Sequence, residues 1–169
     1  MPEVFHESRL DLALRTLVQQ QRVAALGTLA PDGTPFVSMV PYVLLPQGPD
    51  MVLHVSGLAA HARHMQADPR VSLLVMQPEA DGQGVHDLGR VTLLGKARFL
   101  AADEAGCQEC REAYLNRFPE AEMMTQLADF RFVLVRLREA RQVAGFGAAR
   151  SLDAEQLSRC LGRNAPLSE

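Results

Sequence analysis

The stretch of sequence most suited to binding chemistry covers residues 56–64 and reads SGLAAHARH. It combines a hydroxyl group, several small residues and three potential cations, His61, Arg63 and His64, where a predicted strand gives way to a predicted helix. The free N–H groups and the dipole of a helix N-terminus favour an anion. The pattern therefore predicts a phosphate-type anion site. A solvated helix face that carries histidine and arginine is the plainer alternative.

Two other patterns suggest metal or redox chemistry, but neither is complete. Cys107 and Cys110 form a CxxC pair in an acidic helical segment, without the further ligands that zinc requires. A redox role would need a helix N-terminus in a thioredoxin-like context, so we interpret both as free thiols. His61 and His64 lie one helical turn apart, and two ligands make only a weak metal site. No metal site is predicted, and His54 is interpreted as a packed or hydrogen-bonded strand residue.

The elements that position these residues belong to a single domain, which we predict to cover residues 1–169. Hydrophobic residues make up 47% of the chain and charged residues 22%, which is typical of a globular core. The net charge of −3 and the 5% aromatic content argue against nucleic acid as the main partner. No apolar run is long enough for a membrane span, and no signal peptide is recognised. With only three cysteines, we expect a cytoplasmic protein.

Hydrophobic periodicity predicts a mainly β protein with peripheral helices, an α+β chain with six strands. The predicted strands cover residues 22–30, 35–45, 51–55, 70–76, 90–100 and 130–144. The predicted helices cover residues 3–21, 58–67, 103–117, 119–127 and 153–161. The first three strands are expected to form a meander, residues 77–89 a loop, and Gly95 a bulge. Because closing removes the exposed edges of such a sheet, we predict a small antiparallel β-barrel.

Four segments within residues 8–152 together resemble one family. They read ALGTLAPDGTPFVSMVPYVL, LHVSGLAAHARHMQADPRVSLLV, RVTLLGKARFL and DFRFVLVRLREARQVAGFGAA. In this order they resemble the FMN-binding split barrel family related to pyridoxamine 5′-phosphate oxidase, and within it the HugZ-like branch of haem-utilisation proteins. The resemblance implies a six-stranded antiparallel split β-barrel. It also implies a homodimer, with FMN bound in two clefts at the subunit interface.

The resemblance implies that the FMN phosphate is bound by the stretch already singled out. The residues concerned are Ser56, Leu58, His61, Arg63 and His64. His61 stands where the oxidase branch has a lysine. The HugZ-like branch usually reads His-Thr-Arg-Asn here, and this chain departs from it by having His64 in place of the asparagine.

The resemblance further implies that the second predicted strand runs beside the flavin ring. The residues concerned are Ser38, Met39, Val40 and Pro41. Pro41 has no N–H group, which fits a strand that leaves its neighbour to border a cleft, although an ordinary edge or bulge proline fits as well. Thr92 matches a family position near the phosphate, and a strand threonine without any ligand is an equally common role.

These expectations favour an FMN-dependent oxidoreductase acting on an unknown small molecule, with no catalytic residue identified. The alternatives are a haem-binding or haem-utilisation protein and a cofactor-binding module without turnover. The resemblance suggests haem ligation by a histidine in a C-terminal extension, yet no histidine follows His86. The chain has no Trp, and its tail (CLGRNAPLSE) lacks the substrate-holding pattern of true oxidases. We therefore do not expect it to make pyridoxal phosphate.

Overall fold

A computed structural model describes residues 7–162, which form four helices and eight strands. The helices are α1 (Arg9–Gln20), α2 (Ala60–Ala67), α3 (Cys107–Arg117) and α4 (Ala154–Leu161). The strands are β1 (Val23–Leu29), β2 (Pro35–Pro41), β3 (Val43–Leu44), β4 (Asp50–Ser56), β5 (Arg70–Met76), β6 (Arg90–Phe99), β7 (Phe130–Val143) and β8 (Ala149–Asp153). Short 3-10 helices cover Val85–Asp87 and Pro119–Gln126. No helix within the described range is long and apolar enough to cross a bilayer.

The strands form one antiparallel sheet in the order β2-β1-β5-β6-β7-β4-β3, with β8 paired to β7. The sheet curls into a split barrel, so the predicted fold class is confirmed. The predicted number of six strands is wrong, because the predicted strand over residues 35–45 is divided into β2 and β3 and because β8 is not among the predicted strands. β3 follows β2 after a break at Tyr42, whose N–H group donates to the Arg22 carbonyl oxygen at 3.2 Å.

The predicted meander of the first three strands is confirmed in part, because the second predicted strand pairs with the third only through β3, with Val43 opposite Val52 and Leu44 opposite Met51. β1 and β2 form the expected hairpin through Asp32 and Gly33, whose φ of 84° suits a tight turn. β4, however, pairs along its whole length with β7, from Asp50 opposite Arg136 to Ser56 opposite Phe130. Local turn signals show that two strands are consecutive, but the pairing of distant strands depends on how the sheet curls.

Several element boundaries differ from the prediction for local reasons. α1 begins at Arg9 because Ser8 and Asp11 form a capping box. The part of the predicted helix before residue 7 lies outside the described residues. α3 begins at Cys107, after Gly106 with a φ of 95°. The segment after Pro119 is a 3-10 helix. The tail from residue 163 onward is likewise outside the described residues.

The sheet separates two hydrophobic cores. The barrel core collects Leu26, Leu73, Leu93 and the inward residues of β4 with α1, α2 and α4, and the second core lies beneath α3. Gly95 is confirmed as a bulge, since the β6–β7 register shifts between Leu94 and Gly95. A Cβ at Gly95 would lie 2.6 Å from the Arg136 carbonyl oxygen, which explains why this close strand crossing requires glycine.

Candidate functional site

The two histidines of α2 are held by hydroxyl groups of the first hairpin. The Nδ1 atom of His61 is hydrogen-bonded to the Ser38 hydroxyl at 3.0 Å, and that of His64 to the Thr28 hydroxyl at 3.1 Å. Both imidazoles are half-buried. Burial, followed by the nearby charge of His64, lowers the pKa of His61. The two rings therefore have defined orientations, with Nδ1 engaged in each.

The turn between β4 and α2 contains the predicted phosphate-binding side chains. The Ser56 hydroxyl donates to a carboxylate oxygen of Asp129 at 2.7 Å and accepts from the Leu58 N–H. Arg63 donates to the Leu58 carbonyl oxygen at 2.6 Å, while the Leu58 side chain is exposed. No side chain caps the N-terminus of α2. An anion here can be bound by the backbone N–H groups of the helix and by the remaining N–H donors of Arg63, whereas the Ser56 hydroxyl already has two partners.

The predicted flavin-side residues of β2 fall on opposite faces of that strand. Ser38 and Val40 point to the barrel side, where Val40 is buried in the core and leaves only its backbone for a ligand. Met39 points the other way and is 65% exposed. Pro41 ends the strand, opposite Val23 of β1. Among the described strands, β2 pairs with β1 alone, so its second edge keeps backbone groups without strand partners.

Met39 and Thr92 lie on the same outer surface of the sheet but not close together. Strand register places Met39, Ala25, Leu74 and Thr92 in one row across β2, β1, β5 and β6. Three strand spacings make the separation about 14 Å. The predicted site residues therefore form two groups. One group surrounds α2, and the other lies on the far side of the sheet.

We call this second surface the outer face. It is defined by the outward residues of two adjacent rows: Met39, Ala25, Leu74, Thr92, Val37, Gly27, Ser72 and Leu94. Its middle consists of small residues, and no described element of the chain covers it. Val37 is 68% exposed. A groove of about 340 Å³ runs over Gly27 between Phe36, Val37 and Leu94. The outer face is therefore a shallow apolar surface that is open to a ligand or a partner.

Two arginines flank the end of the outer face near Thr92. Arg90 continues the outward side of β6 and donates to the Leu88 carbonyl oxygen at 3.0 Å. Arg141 lies opposite Thr92 on β7 and donates to the Ser151 hydroxyl at 3.2 Å. Neither forms an ion pair with another residue of the range 7–162. Their charges are thus available to an anionic group bound beside the apolar rows.

Sequence reasoning missed three residues of these two groups. Thr28 lies in the largely apolar first strand, Asp129 lies 73 positions from Ser56, and Arg141 lies on the long predicted strand over residues 130–144. The only available signal was the outward alternation of β7. No local pattern indicates that Asp129 reaches the turn before α2.

The sequence profile of the pyridoxamine 5′-phosphate oxidase family matches residues 10–144. The chain belongs to this family. The predicted recognition is therefore confirmed, including its haem-related branch, because similar proteins carry haem-related names. One is heme oxygenase HutZ of Vibrio cholerae, which is 27% identical over 153 residues, covering 89% of this chain and 85% of HutZ. Another is the chloroplastic non-canonical heme oxygenase HOZ of Arabidopsis thaliana, 30% identical over 138 residues, covering 80% of this chain and 40% of HOZ.

Solved structures agree with the fold. A heme binding protein from Mycobacterium smegmatis superposes with a TM-score of 0.79 and 31% identity, over 90% of this chain and 61% of that protein. The structure of HutZ from Vibrio cholerae, described as a heme storage protein, has a TM-score of 0.69 and 25% identity, over 76% of this chain and 89% of HutZ. The chain thus spans less than two thirds of the Mycobacterium smegmatis and Arabidopsis thaliana proteins.

Proposed function

We propose that this protein binds haem on the outer face and acts in haem utilisation. The observation that carries the proposal is a shallow apolar surface with cations at one end, Arg90 and Arg141. Haem is a flat apolar ring with two propionate groups, so it needs this combination of an apolar surface and nearby cations. The haem-related names of the similar proteins support the choice of ligand over a flavin.

The outer side of the sheet also carries ligands that suit iron. Met39 and Met76 place thioethers there, and haem iron accepts a thioether as an axial ligand. Haem supplies redox-active iron when it is bound, while this chain's residues hold the ring and its propionates.

A homodimer fits the same surface and is part of the proposal. Val37, Met39 and Leu94 are 68%, 65% and 40% exposed, and a second copy packed on this face would cover them. Sedimentation at micromolar concentration measures this directly, and we expect a dimer. A monomeric sedimentation coefficient would contradict the proposed dimer. If that monomer still bound haem, a single copy of the outer face would be sufficient for the binding site. The cytoplasmic location stays a prediction.

The test is a haemin titration followed by absorption in the Soret region. We expect saturable binding with a shifted Soret band, strongly weakened by Val37→Asp, which places a carboxylate on the apolar surface. Met123→Asp is the matched control, because Met123 is 82% exposed on the 3-10 segment away from the outer face. No Soret change in the wild type would contradict haem binding. Equal weakening by both variants would contradict the outer face as the site.

FMN is the second candidate cofactor, which would make the protein a flavin-dependent oxidoreductase. It is supported by the family match and by the uncapped N-terminus of α2, whose N–H groups suit a phosphate. FMN fluorescence measures binding. Quenching by the wild type, reduced by Arg63→Ala and unaffected by Val37→Asp, would favour FMN at the α2 turn. Undiminished fluorescence at saturating protein would exclude this candidate.

A further inference from the structure

A second cavity, of about 360 Å³, lies away from the outer face, between α3, the following 3-10 segment and strands β4 and β7. Its volume falls in the range of about 300–1,000 Å³ that is usual for small-molecule sites. Three aromatic rings line it, those of His54, Phe130 and Phe132. Arg111 and Thr125 line it as well. The cavity therefore combines an aromatic surface with a small number of polar groups.

The aromatic surface is centred on His54, which is only 6% exposed. Its ring centroid lies 4.5 Å from that of Phe132 and 5.1 Å from that of Phe130, each at an interplanar angle of 35°. Burial lowers the pKa of His54 to about 4, so the imidazole is neutral at pH 7. The Nδ1 atom is buried and has no hydrogen-bond partner within the described residues. This side of the cavity is thus aromatic and uncharged.

The charge of the cavity is positive. The guanidinium of Arg111 donates to the Thr125 hydroxyl at 3.3 Å, which holds it beside the cavity. Arg131 is a second lining arginine. None of the described lining residues is an Asp or a Glu. A carboxylate can therefore pair with Arg111 without displacing another acid. The Thr125 hydroxyl donates to the Glu122 carbonyl oxygen at 2.7 Å, so its role is to position Arg111.

We propose that this cavity binds a planar aromatic carboxylate, with its ring against His54, Phe130 and Phe132 and its carboxylate on Arg111. The aromatic rings favour a flat apolar ligand, and the arginine favours a single negative charge at its edge. This site shares no residue with the outer face, so it stands or falls independently of the haem proposal.

The test uses 2-naphthoate as the probe and the full-length protein without added haemin. Binding is measured by calorimetry and by the shift of the His54 Cε1–H signal in NMR spectra, assigned with His54→Phe. We expect Arg111→Gln to weaken binding about tenfold or more, the equivalent of one charge-assisted hydrogen bond. Arg138→Gln is the matched control, since it removes the same charge from an exposed β7 position outside the cavity. It should leave the affinity unchanged.

A second comparison needs no variant and guards against misfolding of Arg111→Gln. The uncharged isostere 2-naphthamide should bind the wild type about tenfold more weakly than 2-naphthoate. Equal affinity of the acid and the amide would overturn the anion assignment. An unmoved His54 signal at saturating 2-naphthoate would overturn the site itself.

Discussion

The outward side of this sheet is used differently in two regions, which we call the covered face, beneath α3, and the outer face. Beneath α3, the side chains of β4 and β7 are covered by the chain itself, through Cys110, Tyr114 and Phe118. On the outer face, the rows through Ala25 and Gly27 are covered by no described element. β4 is buried on both of its sides from Met51 to Val55, whereas β1 and β5 alternate between buried and more exposed residues.

The difference lies in the shape of the side chains. The covered face carries large rings that fill one fixed arrangement, such as His54 against Phe132 at 4.5 Å. The outer face has small residues at its centre, Ala25, Gly27 and Ser72, which make it shallow. Interlocking rings suit a permanent core, whereas a shallow apolar surface suits a flat ligand or a second sheet. We infer that the rings beneath α3 mainly stabilise the fold, with the proposed small-molecule cavity at their edge, and that the outer face provides the wider binding surface.

The largest expected effect is on the covered face. Phe132→Ala should lower the free energy of unfolding by about 3–5 kcal/mol, because it removes a buried ring that packs against His54 and Tyr114 and leaves a cavity between them. Val37→Ala on the outer face, its control, should lower it by less than about 0.5 kcal/mol. Urea denaturation measures both. Similar losses for the two variants would show that the covered face and the outer face contribute equally to the free energy of unfolding, which would contradict our inference.

The next effect is a dependence of stability on pH that arises from His54. Its pKa is lowered to about 4 in the folded protein, so the unfolded state binds a proton first as the pH falls. Stability is then lost between about pH 6.5 and pH 4, by about 3 kcal/mol in all. His61 contributes in the same direction.

The matched variant for this pH effect is His54→Phe, which keeps an aromatic ring and removes the titrating group. Urea denaturation at pH 7, 5.5 and 4.5 should give a shallower pH dependence for the variant than for the wild type. An unchanged dependence would mean that His54 is protonated in the folded state and that its neighbours tolerate the charge.

A smaller effect is expected where a hydroxyl group holds a histidine. Thr28→Val keeps the shape of a buried side chain but removes the hydrogen bond to His64, so it should lower stability by about 1 kcal/mol. NMR of the His64 ring should show a change in its tautomer balance. Thr16→Val on α1 is a control that touches neither histidine. If Thr28→Val left both stability and the His64 signals unchanged, the hydroxyl would not orient the ring.

The smallest effect on unfolding is expected on the outer face. The double variant Val37→Ser and Leu94→Ser should change the stability of the monomer by less than about 0.5 kcal/mol, since both side chains are already exposed. It should nevertheless weaken self-association in sedimentation experiments, because apolar area at the proposed contact is lost. A large loss of monomer stability with unaltered association would reverse the roles of the two faces.

Much of the fold is predictable because it depends on local signals. The strand over residues 70–76 has the predicted bounds, Gly95 is the predicted bulge, and Asp32 with Gly33 forms the predicted hairpin turn. β3 was predicted as the end of the strand over residues 35–45, but its separation from β2 was not. β8 escaped prediction because only Leu152 of its five residues is buried, which is too few for an alternating pattern. The pairing of β4 with β7 escaped it because their sequence separation carries no local signal.

The candidate site is predictable only in part, for the same reason. The strand-to-helix turn before His61 and the hydroxyl of Ser38 were identified, and the structure joins these two residues by a hydrogen bond. Met39 and Thr92 were assigned to the same cofactor site, but they lie on the outer face, across the sheet from α2. Assignment of a strand residue to one face requires the register of the whole sheet.

Composition, periodicity and turn residues alone determined that this chain is a mainly β domain with a strand-to-helix turn rich in potential cations. Four ordered segments determined its family. Only the tertiary structure decided that the Ser56 hydroxyl donates a hydrogen bond to Asp129, that His54 is enclosed by aromatic rings, and that no described element covers the outer face. The physical reason is the separation along the chain over which each effect acts. Propensities act over a few residues, whereas burial and pairing depend on residues that only the folded sheet brings together.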